Sequence, residues 1–169
     1  MAELTWLRSR HMELGTEVEA LQATAAWMDD ATMLEVWDRI TGHVTFFVND
    51  LVPYISVEDE ILYPALTVAA ETATPIDVLR AHHAEIDRLA SDLDEARRAL
   101  PLGEDDAWCQ LRQALYGLYA VARLHFTVED EIVLPLLEAD LDSRDAEELE
   151  DAVRAVVHNT QSTLDYQEA

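Results

Sequence analysis

The sequence predicts an all-α protein: an up-down four-helix bundle followed by an additional C-terminal helix. Half of the 169 residues are hydrophobic, which is enough to form a core in a chain of this length. Only 4 glycines and 5 prolines interrupt a composition rich in helix-forming Ala, Leu, Glu and Arg. Apolar residues recur at alternating spacings of three and four in four long stretches, which is typical of a helical bundle.

The first helix is predicted from about Glu3 to Met28, and the second begins near Ala31. The inward-facing seam of the first helix comprises Leu4, Leu7, His11, Leu14, Val18, Leu21, Ala25 and Met28. The seam of the second comprises Trp37, Ile40, Val44, Phe47, Leu51, Tyr54, Glu58, Ile61 and Ala65. Pro53 lies inside the second helix, where its missing N–H is expected to kink or locally unwind the chain just before Tyr54.

The Thr74-Pro75 pair marks the start of the third helix, which runs to about Leu100, and the fourth helix starts near Asp106. The third seam comprises Leu79, His82 or His83, Ile86, Leu89 or Ala90, Leu93, Ala96 and Leu100. The fourth comprises Leu111, Leu115, Leu118, Ala122, His125, Glu129, Ile132 and Leu136. The links between these helices are short, so consecutive helices are expected to be antiparallel neighbours.

A fifth amphipathic segment, from Ser143 to about Tyr166, follows the bundle. It is expected either to pack outside the bundle or to form an interface with another subunit of a homo-oligomer. No linker is long enough to separate two domains. We therefore expect a single domain over residues 1–169, with the bundle at about 3–138 and the C-terminal helix at about 143–166.

The strongly acidic composition excludes several classes of partner. The formal net charge is −24, and every basic side chain is arginine. Such a chain is repelled by phosphate backbones and anionic membranes, so neither nucleic acid nor a membrane surface is an expected partner. No apolar run is long enough to cross a bilayer, and the N-terminal residues lack the features of a signal peptide. Cys109 is the sole cysteine, which excludes an internal disulfide and agrees with a cytoplasmic location.

An internal repeat identifies the functional region. Residues 57–66 read V-E-D-E-I-L-Y-P-A-L and residues 128–137 read V-E-D-E-I-V-L-P-L-L, with seven of ten positions identical. The repeat indicates a molecule built from two similar halves. It places Glu58 four residues after Tyr54 and Glu129 four residues after His125, so each pair shares one helix face.

Polar side chains occupy seam positions where a bundle core needs aliphatic ones. They are His11, Tyr54, Glu58, His82 or His83, His125 and Glu129. Two buried carboxylates without charge partners would cost several kcal/mol each or would remain protonated. A bound metal supplies the missing charge, and a set of imidazole, phenolate and carboxylate donors suits iron, manganese or zinc. About six ligands with two carboxylates able to bridge favour two metals over one.

Two adjacent histidines compete for the position on the third helix. The heptad spacing favours His82, whereas the match between His11-Met-Glu-Leu and His83-Ala-Glu-Ile favours His83. We take His83 as the ligand and His82 as the second choice. His43 and His158 are interpreted as ordinary surface or hydrogen-bonded histidines. Asp59, Glu60, Asp130 and Glu131 are interpreted as outer-face groups or as groups that support a ligand.

At these residues the chain resembles the hemerythrin-like, or HHE cation-binding, domains. The resemblance covers roughly residues 4–137 and rests on His11, the run from Glu58 to Pro64, His83-Ala-Glu-Ile, and His125 with Glu129 and Pro135. It implies a four-helix bundle with a non-haem di-iron centre. Glu58 and Glu129 would bridge two oxo- or hydroxo-linked irons, and the remaining residues (His11, Tyr54, His83 and His125) would be terminal ligands.

Two departures separate this chain from oxygen-carrying hemerythrins. Tyr54 stands where the second helix of the family has the histidine of a His-x-x-x-Glu pair, and the third helix lacks a second histidine four residues on. Within the family, the chain looks most like a mycobacterial group, which implies catalase-like decomposition of hydrogen peroxide. The alternative is O2 or NO binding, sensing or iron handling without turnover. A metal-free helical interaction protein is the third hypothesis.

Overall fold

The computed structural model describes residues 2–70, 74–103 and 106–167, and over these residues it confirms the predicted all-α bundle with an additional helix. The helical segments are α1 (Thr5–Trp27), α2 (Met33–Phe46), α3 (Val52–Val57), α4 (Tyr63–Ala70), α5 (Thr74–Ala99), α6 (Ala107–Val128), α7 (Leu134–Asp140) and α8 (Ser143–Gln167). Segments α2, α3 and α4 form one continuous second long helix, and α6 and α7 form the fourth.

Three π-helical turns join the segments of these two long helices. They span Phe47–Leu51, Glu58–Leu62 and Glu129–Val133, and each ends two residues before a proline. A proline has no N–H to donate, and its ring clashes with the carbonyl of the preceding turn. Widening that turn relieves the clash, and the chain then forms i→i−5 hydrogen bonds such as that from the Tyr63 N–H to the Glu58 carbonyl.

The π turns correct the predicted seams. Each wide turn adds one residue to the helix, so the inward face moves by one position beyond it. Leu62 and Leu66 are therefore buried in place of the predicted Ile61 and Ala65, which are half-buried. In the fourth long helix the same shift buries Val133 and Leu137, and it leaves the predicted seam residues Ile132 and Leu136 46% and 39% exposed.

The four long helices pack in a closed ring. Helix α1 contacts α2 and α6, and helix α5 contacts the same two neighbours from the other side. Helix α8 lies outside this ring, against α3 and the two π turns of the second long helix. Its inward side chains include Ala146, Val153 and Val157, which are buried. The sequence also predicts inward positions for Thr160 and Leu164, whose side chains lie outside the part that the structure describes.

The link after α1 and the end of α5 each contain a specific capping feature. Met28–Asp30 forms one 3-10 turn after α1, and Thr32 then caps α2 by accepting a hydrogen bond from the Glu35 backbone N–H. The Glu35 carboxylate accepts from the Thr32 N–H in return, which completes a capping box. After α5, Gly103 adopts the left-handed conformation with φ of 73°, where any other residue would be strained.

The N-terminus of α1 is capped by glutamates from the other end of the chain. The Trp6 and Leu7 N–H groups donate to Glu150 Oε1 at 2.8 and 3.1 Å, and the Leu4 N–H donates to Glu138 Oε1 at 3.0 Å. These carboxylates satisfy backbone donors that have no partner within the helix and oppose the positive end of its dipole. They tie α1 to α7 and α8.

Replacing Glu150 with alanine is expected to lower the free energy of unfolding by about 1 kcal/mol, within the range of about 0.5–2 kcal/mol for a lost helix cap. Glu147→Ala, at an exposed position on the same helix, is the matched control and should change stability by less than about 0.5 kcal/mol. Urea unfolding of both variants measures the difference. Equal effects of the two substitutions would show that Glu150 does not act as a cap.

No helix in the described ranges combines the length and the apolarity needed to span a membrane.

Candidate metal centre

Seven side chains from the four long helices converge in the bundle core, and each is no more than 5% exposed. They are His11 from α1; Tyr54, Glu58 and Tyr63 from the second long helix; His83 from α5; and His125 and Glu129 from the fourth long helix. All six residues proposed as ligands from the sequence are in this group. Tyr63 is an addition that the sequence analysis did not identify.

The side chains form two clusters that share one carboxylate. One cluster contains Glu58, His83 and His125, and the other contains His11, Glu58 and Glu129. Within each cluster the donor atoms all lie within 4.8 Å of one another, which is close enough to surround one cation. Glu129 Oε2 also lies 3.4 Å from His125 Nε2, so the second carboxylate borders both clusters. The geometry therefore offers two adjacent cation positions with Glu58 between them.

The two glutamates owe their positions to the π turns. Glu58 and Glu129 are the first residues of Glu58–Leu62 and Glu129–Val133. In a regular α-helix, residues five apart point in different directions, whereas a π turn brings them onto one face. Tyr63 is therefore turned into the core on the same side as Glu58. Its equivalent in the fourth long helix is the buried Leu134.

The aspartate that follows each glutamate holds a histidine of the neighbouring helix. The Nδ1–H of His83 donates to Asp59 Oδ2 at 2.9 Å, and the Nδ1–H of His11 donates to Asp130 Oδ1 at 2.8 Å. In both rings Nε2 then faces the core. A carboxylate bound to the outer nitrogen fixes the tautomer and orientation of a metal-ligating histidine and increases its basicity. This arrangement occurs twice, and each time the aspartate and the histidine come from different halves of the repeat.

Tyr54 lies beside His11, with its hydroxyl 2.9 Å from His11 Nε2. Burial raises the pKa of this phenol well above its ordinary value, and the negative charges of Glu58 and Glu129 raise it further. The guanidinium of Arg10 lies 6.0 Å from the Tyr54 ring centroid and acts in the opposite direction. A phenolate at this position therefore requires a stronger positive charge close by, such as a metal ion.

Tyr63 occupies the corresponding place beside the other cluster. Its hydroxyl donates to Glu129 Oε1 at 2.8 Å and lies 3.1 Å from His83 Nε2. The Tyr63 and His83 rings are stacked, with centroids 5.4 Å apart. Burial and the two carboxylates raise the pKa of Tyr63 as well, which keeps this residue a neutral hydrogen-bond donor.

Buried polar atoms remain unpaired at the centre of the site. Within residues 2–70, 74–103 and 106–167, both oxygens of Glu58, Glu129 Oε2 and both ring nitrogens of His125 have no hydrogen-bond partner. Each such atom costs about 1–3 kcal/mol in a protein core. The unpaired His125 Nε2 lies 3.4 Å from both Glu58 Oε2 and Glu129 Oε2. Carboxylate oxygens and imidazole nitrogens that face one another without hydrogen bonds are suited to binding a cation.

The charges of the site depend on one another. Burial raises the pKa of the Glu58 carboxyl, but the imidazoles that face it hold that pKa well below its usual range. Burial and the charge of Glu58 raise the pKa of Glu129 well above its usual range. Burial lowers the pKa of His11, but Asp130 and the two glutamates outweigh this effect and raise it to about 10. Protons on Glu129 and His11 therefore offset the negative charge of the site, as a bound cation would.

Comparison with known families links the chain to cation-binding domains. The hemerythrin HHE cation-binding domain matches residues 3–137, and a second, overlapping match covers residues 74–165. The chain belongs to the hemerythrin HHE cation-binding family. Searches of curated proteins and of solved structures returned no match. Family membership and the buried histidine–glutamate clusters together support a non-haem iron-binding protein.

The second match gives an independent view of the internal repeat. It starts at Thr74, where α5 begins, and extends into α8. The hemerythrin pattern therefore fits the chain in two registers, one starting at α1 and one starting at α5. This agrees with two similar halves in which α5 corresponds to α1 and the fourth long helix corresponds to the second.

The other histidines lie outside the two clusters of the hemerythrin site. His82, the second choice as a ligand, is half-buried, and its ring centroid lies 6.1 Å from that of His125. His43 is buried and forms a 2.8 Å hydrogen bond with Thr24 Oγ1. Burial lowers the pKa of His43 to about 4, so it remains a neutral core residue at neutral pH.

Proposed function

We propose that this hemerythrin-like chain is a di-iron protein that decomposes hydrogen peroxide. Glu58 and Glu129 would bridge the two irons, with His11 and Tyr54 as terminal ligands of one and His83 and His125 as terminal ligands of the other. The observation that carries the proposal is the pair of buried clusters that share Glu58. Glu129 borders both clusters and is proposed as the second bridging ligand.

The composition of the donor set favours redox chemistry over oxygen carriage. Two carboxylates and a phenolate are hard, anionic donors, and they stabilise Fe(III) relative to Fe(II). Reversible O2 binding needs an accessible diferrous state. The three imidazoles are too few to balance the anionic oxygens in the way a histidine-rich oxygen carrier does.

The chain supplies a preorganised and dry environment for this reaction. Bound irons would supply a reversible two-electron couple, which allows two peroxide molecules to give one O2 and two waters. Asp59 and Asp130 hold the imidazoles of His83 and His11 in fixed orientations. Tyr63 donates a hydrogen bond to Glu129 and restrains that carboxylate on the inner side of the bundle. Preorganised groups of this kind do not have to rearrange during turnover.

Metal analysis, a visible spectrum and O2 release from added peroxide, measured on one purified sample, test the proposal. We expect about two irons per chain and catalytic O2 release that disappears after chelation. A stable, reversible O2 or NO adduct with negligible peroxide turnover would contradict the peroxide activity and favour a binding or sensing module. Absence of stoichiometric iron in protein from iron-replete cells would contradict the metal centre itself.

Replacing Tyr54 with phenylalanine tests the phenolate ligand. If Tyr54 binds Fe(III), the loaded protein should show a tyrosinate-to-iron charge-transfer band in the visible, and Tyr54→Phe should remove it. Tyr63→Phe is the matched control, because Tyr63 is proposed to remain a neutral donor and its loss should leave the band in place. A band that survives Tyr54→Phe and disappears in Tyr63→Phe would show that Tyr63, not Tyr54, is the phenolate ligand.

A further inference from the structure

A groove between α1 and α6 extends inward as far as His11, a residue of the candidate metal centre. Its volume is about 190 Å³, enough for several molecules the size of water. Its walls include Met12, Gly15 and Val18 from α1 and Arg123 and Phe126 from α6. We propose that this groove is the entry route for small neutral molecules to the metal centre. The proposal rests on the proposed function, because it assumes a loaded centre.

The inner end of the groove is formed by a residue of the site itself. His11 lines the groove and is only 2% exposed, whereas its partner Asp130 lines the same groove with a side chain that is 40% exposed. The hydrogen-bonded pair therefore extends from solvent to the core. Phe126, which is 6% exposed, packs against His11 with ring centroids 5.1 Å apart. The groove therefore ends at His11 and Phe126, and Phe126 also contacts His125 of the site with ring centroids 5.3 Å apart.

Gly15 keeps the groove open. A Cβ atom built on Gly15 meets no other atom within 4 Å, so a larger side chain there would project into free space rather than into the helix packing. Glycine in the interior of a helix costs about 1 kcal/mol relative to alanine. A glycine in the middle of α1 therefore has a cost in stability, and it leaves this part of the groove free of a side chain.

The charges around the groove favour neutral over anionic molecules. Asp130 and Glu19 both line it and carry negative charge, and Arg123 is the one arginine among its lining residues. The guanidinium of Arg123 lies 3.8 Å from the Glu19 carboxylate, which partly offsets its positive charge. The net charge of the chain, −24, adds to the repulsion of anions. Hydrogen peroxide and diatomic molecules such as nitric oxide carry no charge and are not repelled.

Blocking the groove at Gly15 tests the route with nitric oxide as the probe. Stopped-flow mixing of NO with the reduced, iron-loaded protein gives association and dissociation rate constants. In Gly15→Phe the association and dissociation rate constants should both fall by about tenfold. A change of this size is within the range of association rates among related variants. Because only the path is changed, the equilibrium dissociation constant and the iron content should stay near those of the unsubstituted protein. Gly15→Leu replaces this variant if the phenylalanine prevents folding.

Gly42→Phe is the matched control. A Cβ at Gly42 also meets no atom within 4 Å, and Gly42 lines a different surface groove next to Arg10 and Asp50. NO rates within twofold of the unsubstituted protein in both Gly15 variants, or equal slowing in Gly42→Phe, would overturn the route. If the Gly15 variants slow NO binding as expected but the protein does not turn over peroxide, only the proposed peroxide activity is contradicted. A chain that binds no iron would overturn both.

Discussion

Replacing Glu58 with alanine is expected to remove both irons from the centre, the largest functional effect of any single substitution considered. Glu58 belongs to both clusters, so its loss takes a ligand from each metal. Glu129 belongs to one cluster and reaches the other only at its border, so Glu129→Ala should weaken the second iron less and leave an intermediate iron content. Iron per chain, measured after identical loading and desalting, should therefore decrease in the order unsubstituted protein, Glu129→Ala, Glu58→Ala.

The same substitution should also reduce the stability of the loaded protein. A metal present at 100 times its dissociation constant stabilises the folded chain by about 2.7 kcal/mol, and Glu58→Ala would forfeit this contribution. Glu60→Ala is the control, since Glu60 lies in the same π turn and is exposed. Unfolding of each protein should be compared with and without a chelator. Iron retention by Glu58→Ala at the level of Glu60→Ala would contradict the shared position of Glu58.

Replacing Leu137 with alanine is expected to give a large loss of stability, about 2–5 kcal/mol, as for other buried leucines. Leu137 is fully buried, whereas its neighbour Leu136 is 39% exposed. Leu136→Ala should therefore cost less than about 1 kcal/mol. Urea unfolding in the presence of a chelator isolates this packing effect from metal binding.

This pair of substitutions distinguishes two registers of the fourth long helix. A regular α-helix through Glu129 places Leu136 on the inner seam, whereas the π turn Glu129–Val133 places Leu137 there. The larger cost in Leu136→Ala would show that the turn is absent in solution. Ile61→Ala and Leu62→Ala form the equivalent pair in the second long helix and should show the same order.

Helical periodicity predicts the fold and five of the six proposed ligands, because α1 and α6 keep one regular period along their inner faces. The seam positions from Leu7 to Met28 and from Leu111 to Glu129 are buried as expected. The preference for His83 over His82 came from the repeat rather than from spacing. The structure places His83 in a cluster and His82 outside both.

The prediction fails next to the π turns because a fixed period cannot represent an inserted residue. Ahead of the turn Phe47–Leu51, the predicted Trp37 and Val44 are half-buried, and Val36 and His43 are buried in their place. Ile61, Ala65, Ile132 and Leu136 were assigned to the seam, and Tyr63 was left outside it, for that one reason. The available signal was the proline in each copy of the repeat, Pro64 and Pro135, which removes a backbone donor. The pairing of Asp59 and Asp130 with histidines needed the packing of neighbouring helices, which spacing along one helix does not contain.

The exchange of aspartate–histidine partners between neighbouring helices has a consequence for how such a chain can diverge. Asp130 of the second half serves His11 of the first, and Asp59 of the first half serves His83 of the second. The same centre could be formed by two identical helical hairpins, but their symmetry would require equal side chains at equivalent positions. A single covalent chain is free of that requirement. It can have Tyr54 in one half at the position where the other half has His125, and Tyr63 where the other half has Leu134. The two proposed metals would then have unequal surroundings.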